Sequence, residues 1–197
     1  MGLTGGIGAG KSSVAQVLQS FGAAVIDSDE LSHAELRDPD VMATLVRWWG
    51  DRILQADGSI NRRGVADVVF DDAAELARLE GLLYPRLAKR RDELIKFYFA
   101  NARVNAIVLD APKLYEAGVD KCCDAVIYVD ADQGTRFERL ASSRGWTEEE
   151  CTRRENALKP LDNKKAIADY VVGNHSSVGD LRHEVERVFA SVLADFS

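Results

Sequence analysis

Cysteine is scarce in this chain: of 197 residues only Cys122, Cys123 and Cys151 are cysteines, and no CxxC pair is among them. A disulfide scaffold and a zinc ribbon are excluded, and three reduced thiols fit a cytoplasmic address. Proline is limited to four residues, and no low-complexity or Pro/Ser-rich tract marks a linker. No apolar run approaches the roughly 18 residues that a membrane span requires, and the first residues lack the basic-then-apolar layout of a secretory signal. Positive charge is short as well. The chain has 25 Lys+Arg against 32 Asp+Glu, a formal net charge of −7, which argues against a general nucleic-acid surface. What is present is 46% hydrophobic and 29% charged residues, enough to build one core in a single domain, and nothing in the composition calls for an obligate protein partner.

Residues 2–4 are short and apolar, GGIGAGK follows, and from Ser12 the apolar positions Val14, Val17, Leu18 and Phe21 recur at helical spacing. This reads as strand, glycine loop, helix. Gly22 stands where a helix C-terminal glycine belongs, and residues 23–27 (AAVID) form a buried strand that runs into the acidic cluster DSDELSH. From about residue 30 to 101 the pattern is helical, with Leu76, Leu79, Leu83 and Leu87 on one stripe and Pro39, Gly58 and Pro85 as punctuation. Residues 106–110 (AIVLD) and 125–130 (AVIYVD) are β-branched runs ending in aspartate, as expected of parallel strands buried on both faces. A charged helical stretch follows at 136–166, interrupted by Gly145 and Pro160. Residues 169–172 give a fifth strand and 178–196 a closing amphipathic helix. Five short strands alternating with helices predict an α/β doubly wound sheet whose helical stretches are insertions in one domain.

Residues 5–12, GGIGAGKS, satisfy GxxxxGK[ST] in the context that motif requires, after a strand and before a helix. Around Gly8, Ala9 and Gly10 the backbone N–H groups can converge on phosphate oxygens, and the helix N-terminus adds its dipole. Lys11 reaches the β and γ phosphates, Ser12 supplies a magnesium ligand and Ser13 contacts the α phosphate. The expected ligands are therefore ATP, or another nucleoside triphosphate, and Mg2+. A GTPase would need NKxD, whereas residues 162–165 read DNKK; an LSGGQ-like transporter signature is absent. Small kinases remain, in which a second substrate meets the γ phosphate under a lid.

In such a site a carboxylate at the end of a strand next to the loop accepts the proton of the attacking hydroxyl or orders the waters of magnesium. Asp27 and Asp29 are placed for this, and on an extended segment they would face the same side; Asp29 is the candidate base and Asp27 its support. Residues 136–165 carry eight basic and six acidic side chains, most of which read as solvated i,i+4 pairs. Arg139 and Arg144 are the exceptions, placed to swing over the nucleotide, with Arg144 neutralising charge on the transferred phosphoryl group.

Taken in order, GLTGGIGAGKS (2–12), VIDSD (25–29), DGSINR (57–62), DAPKLYEAG (110–118), RLASSR (139–144) and ADYVVGN (168–174) resemble the dephospho-CoA kinase family over nearly the whole chain. The resemblance implies a P-loop kinase-like three-layer fold with a five-stranded parallel sheet, a helical substrate-binding region at about 30–101 and a helical lid at about 136–166. It implies transfer of the γ phosphate of ATP to the ribose 3′-hydroxyl of dephospho-CoA, with Lys11, Asp29 and Arg144 catalytic and Arg139 on the nucleotide. Asp27, Asp29, Arg62, Tyr84, Asp110 and Glu116 fall on the substrate side. Departures from the family pattern are Tyr84 in place of a His, Leu158 in place of a Gln, and Lys113 in place of an apolar residue at a buried strand end. The chain begins almost at the loop, so its first strand is expected to be truncated or unusually short.

Other residues carry weaker expectations. His33, His175 and His183 share no metal-ligand spacing and read as surface or capping residues. Trp48 and Trp49 read as core rather than as a pantetheine pocket, and Arg86 as a helix-face residue within reach of a substrate phosphate. The competing readings are another P-loop small-molecule kinase, acting on a nucleoside monophosphate or a sugar acid, and a nucleotide-binding regulator with impaired catalysis.

Overall fold

The computed structural model describes residues 1–70, 72–156, 160–175 and 178–196. Along the chain the elements run β1 (Gly2–Gly5), α1 (Lys11–Ser20), β2 (Ala23–Asp27), α2 (Ser28–Glu35), α3 (Pro39–Trp49), α4 (Arg62–Val69) and α5 (Ala73–Phe99). Then follow β3 (Ala106–Asp110), β4 (Val126–Asp130), α6 (Gln133–Arg144), α7 (Glu148–Asn156), α8 (Leu161–Ala166), β5 (Tyr170–Gly173) and α9 (Val178–Asp195). The residues cluster into two compact units, one of Met1–Asp27 with Tyr98–Ser197 and one of Ser28–Phe97.

The first unit holds all five strands in one parallel sheet of order β2-β3-β1-β4-β5. All four residues of β1 are buried, which is why its sequence carries no polar alternation beyond the enclosed Thr4. Pairing begins at the first residue: the Met1 ammonium donates to Ile107 O at 2.8 Å, and the Leu109 N–H donates to Met1 O at 2.9 Å. Leu3 and Val108 join Val14 and Leu18 of α1 and Val185, Val188 and Phe189 of α9 in one apolar cluster. Because β1 lies between β3 and β4, its two neighbours arrive from opposite sides of the sheet. A crevice opens beyond the strand ends at such a reversal, and the glycine loop leaves β1 there.

Predicted and observed strands agree to within one residue at either end. Among the described residues, 136–166 holds α6 to α8, with breaks at Gly145 and Pro160 where they are expected. Cys122 is exposed, Cys123 part-buried and Cys151 buried, all three as free thiols. Burial pushes the Cys123 thiol up to about 11, so it is a weak nucleophile at neutral pH.

The second unit is helical, with a core of Val41, Leu45, Trp49, Ile53, Ile60, Val65, Leu79 and Leu83. Among its described residues the only β pairing is an isolated Leu54–Ile60 bridge. Asp38 caps α3 by accepting from the Asp40 and Val41 N–H groups, and Asn61 caps α4 likewise. The expected break at Pro85 does not occur: α5 runs 27 residues straight through it. Proline removes one backbone bond there, and burial of Leu79 and Leu83 in the core before it holds the helix together. Both tryptophans serve this core, Trp49 buried with its Nε1 donating to Glu75 at 2.7 Å and Trp48 beneath the Arg78 guanidinium.

Candidate active site

β1 ends at Gly5 and α1 starts at Lys11, so residues 6–10 must reverse the chain in a few steps. Gly8 (φ 78°) and Gly10 (φ 88°) do so in the left-handed region. Neither has room for a side chain either, since a Cβ at Gly8 would lie 2.7 Å from Arg136 O and one at Gly10 would collide with Asn174 Nδ2. Gly10 caps α1, whose first turn holds no acidic residue, leaving the N-terminal dipole to an anion. Lys11 Nζ lies 3.4 Å from both Gly5 O and Gly6 O, folded back over the loop. Ser12 and Ser13 follow on the exposed side of α1.

Three side chains, only one of them (Arg139) expected on the nucleotide from its position in the chain, brace this loop from outside. Asn174, buried at the end of β5, donates from Nδ2 to Ala9 O at 2.8 Å. Arg139 donates to Asn174 O at 3.1 Å and to Ala9 O at 3.4 Å, which puts the expected nucleotide residue beside the loop. Arg136, read from sequence as part of a solvated set, is buried. It donates from Nε to Ala131 O at 3.1 Å and from Nη1 to Ile7 O at 3.2 Å, and pairs with Glu155 of α7. Burial pulls this guanidinium below its ordinary value, yet it stays charged. Next to the loop a pocket of about 460 Å³ is lined by Gly10, Ser13, Arg139, Asn174 and Arg182 among others.

On the other side of β1 two carboxylates stand level. Asp27 ends β2, Asp110 ends β3, and the two are partners in the parallel register, with Asp110 also opposite Leu3. Adjacent strands lie about 4.8 Å apart, so these side chains leave the sheet edge together. The expectation that Asp29 shares the face of Asp27 is corrected: α2 begins at Ser28, so Asp29 lies in its first turn and not on an extended segment. The alternation argument lapses there, because a helix rotates each residue by about 100°.

Lys113 is also corrected. It is exposed in the turn after β3, and Leu114 takes the buried position instead. Glu116 pairs at 2.8 Å with Lys164, whose side chain is fully buried and also donates to Pro112 O at 3.0 Å. His175 is exposed, with its ring nitrogens 3.6 Å from Asp130 and Asp132. Asp132 caps α6 through the Thr135 N–H and hydroxyl, and these hydrogen bonds hold its carboxyl at about 2. Arg144 ends α6 exposed, its guanidinium 4.9 Å from the Trp146 ring, and Arg154 lies 4.3 Å from the same ring. The loop is thus met by Arg136 and Arg139, and Arg144 stands on Trp146.

In the second unit Arg62 is exposed at the first position of α4. The Tyr84 hydroxyl donates to Glu80 at 2.7 Å. Arg86, expected within reach of a phosphate, pairs with Glu35 at 2.6 Å and Asp38 at 2.8 Å, which raises its pKa above the ordinary value chiefly through the Glu35 hydrogen bond. Leu158 lies outside the described residues.

A family model described as dephospho-CoA kinase matches residues 1–180. The chain belongs to the dephospho-CoA kinase family. Among curated relatives, the dephospho-CoA kinase of Thermobifida fusca is 37% identical over 192 residues, covering 96% of this chain and 94% of that one. The Corynebacterium glutamicum dephospho-CoA kinase is 36% identical over 197 residues, covering 98% of each. The crystal structure of TT1252 from Thermus thermophilus superposes with a TM-score of 0.83 at 31% identity, covering 100% of this chain and 96% of that one. Dephospho-CoA kinase from Campylobacter jejuni gives a TM-score of 0.72 at 19% identity, covering 100% and 98%. A shikimate kinase from Acinetobacter baumannii gives 0.52 at 15%, covering 98% and 92%. These last two, at 19% and 15% identity, bear on the fold alone. Family membership makes this chain a kinase, a transferase of coenzyme A biosynthesis, as the ordered segments implied. Among the described residues no helix is long and apolar enough to cross a membrane.

Proposed function

We propose that this chain phosphorylates the ribose 3′-hydroxyl of dephospho-CoA with ATP, giving coenzyme A and ADP in the cytoplasm, where ATP is at hand. The family match over residues 1–180 carries this reading. Residues 5–12 hold the triphosphate: the loop and the start of α1 present backbone N–H groups, and Lys11 leaves its two carbonyls, 3.4 Å away, for the stronger charge-assisted bonds of β and γ oxygens. Ser13 faces the α phosphate. The pocket beside Gly10, with Arg139 and Asn174 on its wall, takes the nucleoside. The acceptor oxygen attacks the γ phosphorus, the bond to the bridging β–γ oxygen breaks, ADP leaves, and the hydroxyl proton passes to Asp29.

The oxygen donors available, a Ser12 hydroxyl and the level pair Asp27 and Asp110, fit Mg2+, which is held largely by nucleotide phosphates with one or two protein groups. When bound it neutralises charge on the β and γ oxygens. Asp27 and Asp110 would order waters around a bound Mg2+, while Arg62, Tyr84 and Glu116 act on the acceptor side. Within the lid region expected at about 136–166, Arg136 and Lys164 stay anchored on Ile7 O and Glu116, while Arg144 leaves Trp146 to meet the transferred phosphoryl group.

The test is ADP release from ATP and magnesium with dephospho-CoA, AMP, CMP, gluconate or no acceptor. Turnover is expected with dephospho-CoA. Turnover with AMP but not dephospho-CoA would overturn the reading, and ATP binding without turnover on any acceptor would favour a regulator. In the same assay Asp29→Asn is expected to lower kcat by about a hundredfold with the KM for ATP near wild type; collapse of nucleotide affinity would make Asp29 structural.

A further inference from the structure

A trans peptide is planar, and its C=O and N–H point in opposite directions. Whatever grips the carbonyl of one residue in the loop therefore aims the N–H of the next. Asn174 and Arg139 grip Ala9 O and so aim the Gly10 N–H; Arg136 grips Ile7 O at 3.2 Å and aims the Gly8 N–H. The second brace differs from the first in one respect. Arg136 is itself held by Glu155, a residue of α7, with both side chains largely enclosed, 6% and 14% exposed. One Nη1 group serves both partners, so the direction of the Ile7 bond depends on where Glu155 stands. Its Nε is tied to Ala131 O, which leaves the guanidinium plane little freedom. Gly8 packs directly against the Arg136 backbone, so the loop has no slack to compensate.

We propose that Arg136 is a positioning residue: by holding the Ile7 carbonyl outside the loop it turns the Gly8 N–H into the phosphate cradle, and Glu155 sets that hold, linking α7 to nucleotide affinity. The inference rests on the reading of residues 5–12 as a phosphate site, and its readout is nucleotide binding, independent of the acceptor. Absence of turnover with dephospho-CoA would leave it standing.

The double variant R136M/E155M removes both charges at similar volume, a replacement that buried pairs commonly tolerate without loss of stability. Calorimetric titration with ADP and magnesium is expected to show Kd raised about tenfold, the worth of one charge-assisted hydrogen bond, with competition by adenosine unchanged because adenosine has no phosphate. R136K, able to keep Glu155 and one carbonyl but not the whole fork, is expected to recover part of the loss. In a folded double variant, an ADP Kd within twofold of wild type, or an equal weakening of adenosine, overturns the proposal. Should the double variant not fold, E155Q decides: about threefold weaker ADP binding supports it and unchanged binding overturns it.

Discussion

Lys11→Met is expected to lower kcat by about a thousandfold while the melting temperature stays close to wild type. The two effects separate because of how the side chain is held. Its ammonium has contacts to Gly5 O and Gly6 O of 3.4 Å each, near the outer limit for a hydrogen bond, and the residue is only half-buried at the start of α1. Such long bonds contribute little to folding. Under the proposed phosphoryl transfer, by contrast, the ammonium would face transition-state oxygens carrying the developing charge, where a preorganised cation is worth far more than at a surface. Steady-state kinetics with thermal melting checks both halves. Retention of kcat within tenfold would remove Lys11 from the chemistry, and a large drop in melting temperature would make it a structural residue instead.

Glu116→Gln is expected to be among the most destabilising single changes in the first unit, at about 3 kcal/mol, or a fall of about 10 °C in melting temperature. It strands the Lys164 ammonium, whose side chain is 0% exposed, beside the Pro112 carbonyl oxygen at 3.0 Å. Lys164→Met leaves the opposite charge behind, on a Glu116 side chain that is 23% exposed and can hydrate, so it is expected to cost less. The double change to Met and Leu should recover most of the stability, since an apolar pair of similar volume avoids the desolvation altogether. Differential scanning calorimetry on the three variants tests the order. If Lys164→Met is the worst of them, packing of the alkyl stem outweighs the ion pair.

These residues mark the boundary of what could be read from the chain. The runs AAVID, AIVLD and AVIYVD announced strands because burial on both faces leaves no polar alternation, and a phosphate loop has its glycines and lysine in fixed positions. The placing of Asp29 on an extended segment with Asp27 fails because the acidic cluster looks the same whether β2 continues or α2 begins. Lys113 follows a buried strand end in sequence, but the turn there exposes it and buries Leu114 instead. Arg136 and Lys164 were hidden for a more general reason. Helical spacing tells which side chains share a face, but their partners are Ile7 O, Ala131 O and Pro112 O, and every residue owns a carbonyl. A long-range bond to a backbone acceptor leaves no signature in composition or spacing. Asn174 stood at the end of a recognisable segment, yet its grip on Ala9 O, 165 residues away, was equally silent.

The place of β1 in the sheet also sets an order of events during synthesis. The strand that carries the phosphate loop is made before both of its neighbours; Met1 finds Ile107 106 positions further on, and β4 comes later still. Closing contacts of that span is slow and entropically costly. Until β3 and β4 emerge, the glycine-rich segment has no sheet to join and its α1 helix no surface to cover, so a nascent chain cannot bind nucleotide through it. Premature termination before β3 would therefore leave β1 and β2 as apolar strands without the β3 that pairs with both, material for chaperones and proteases rather than a partly active enzyme.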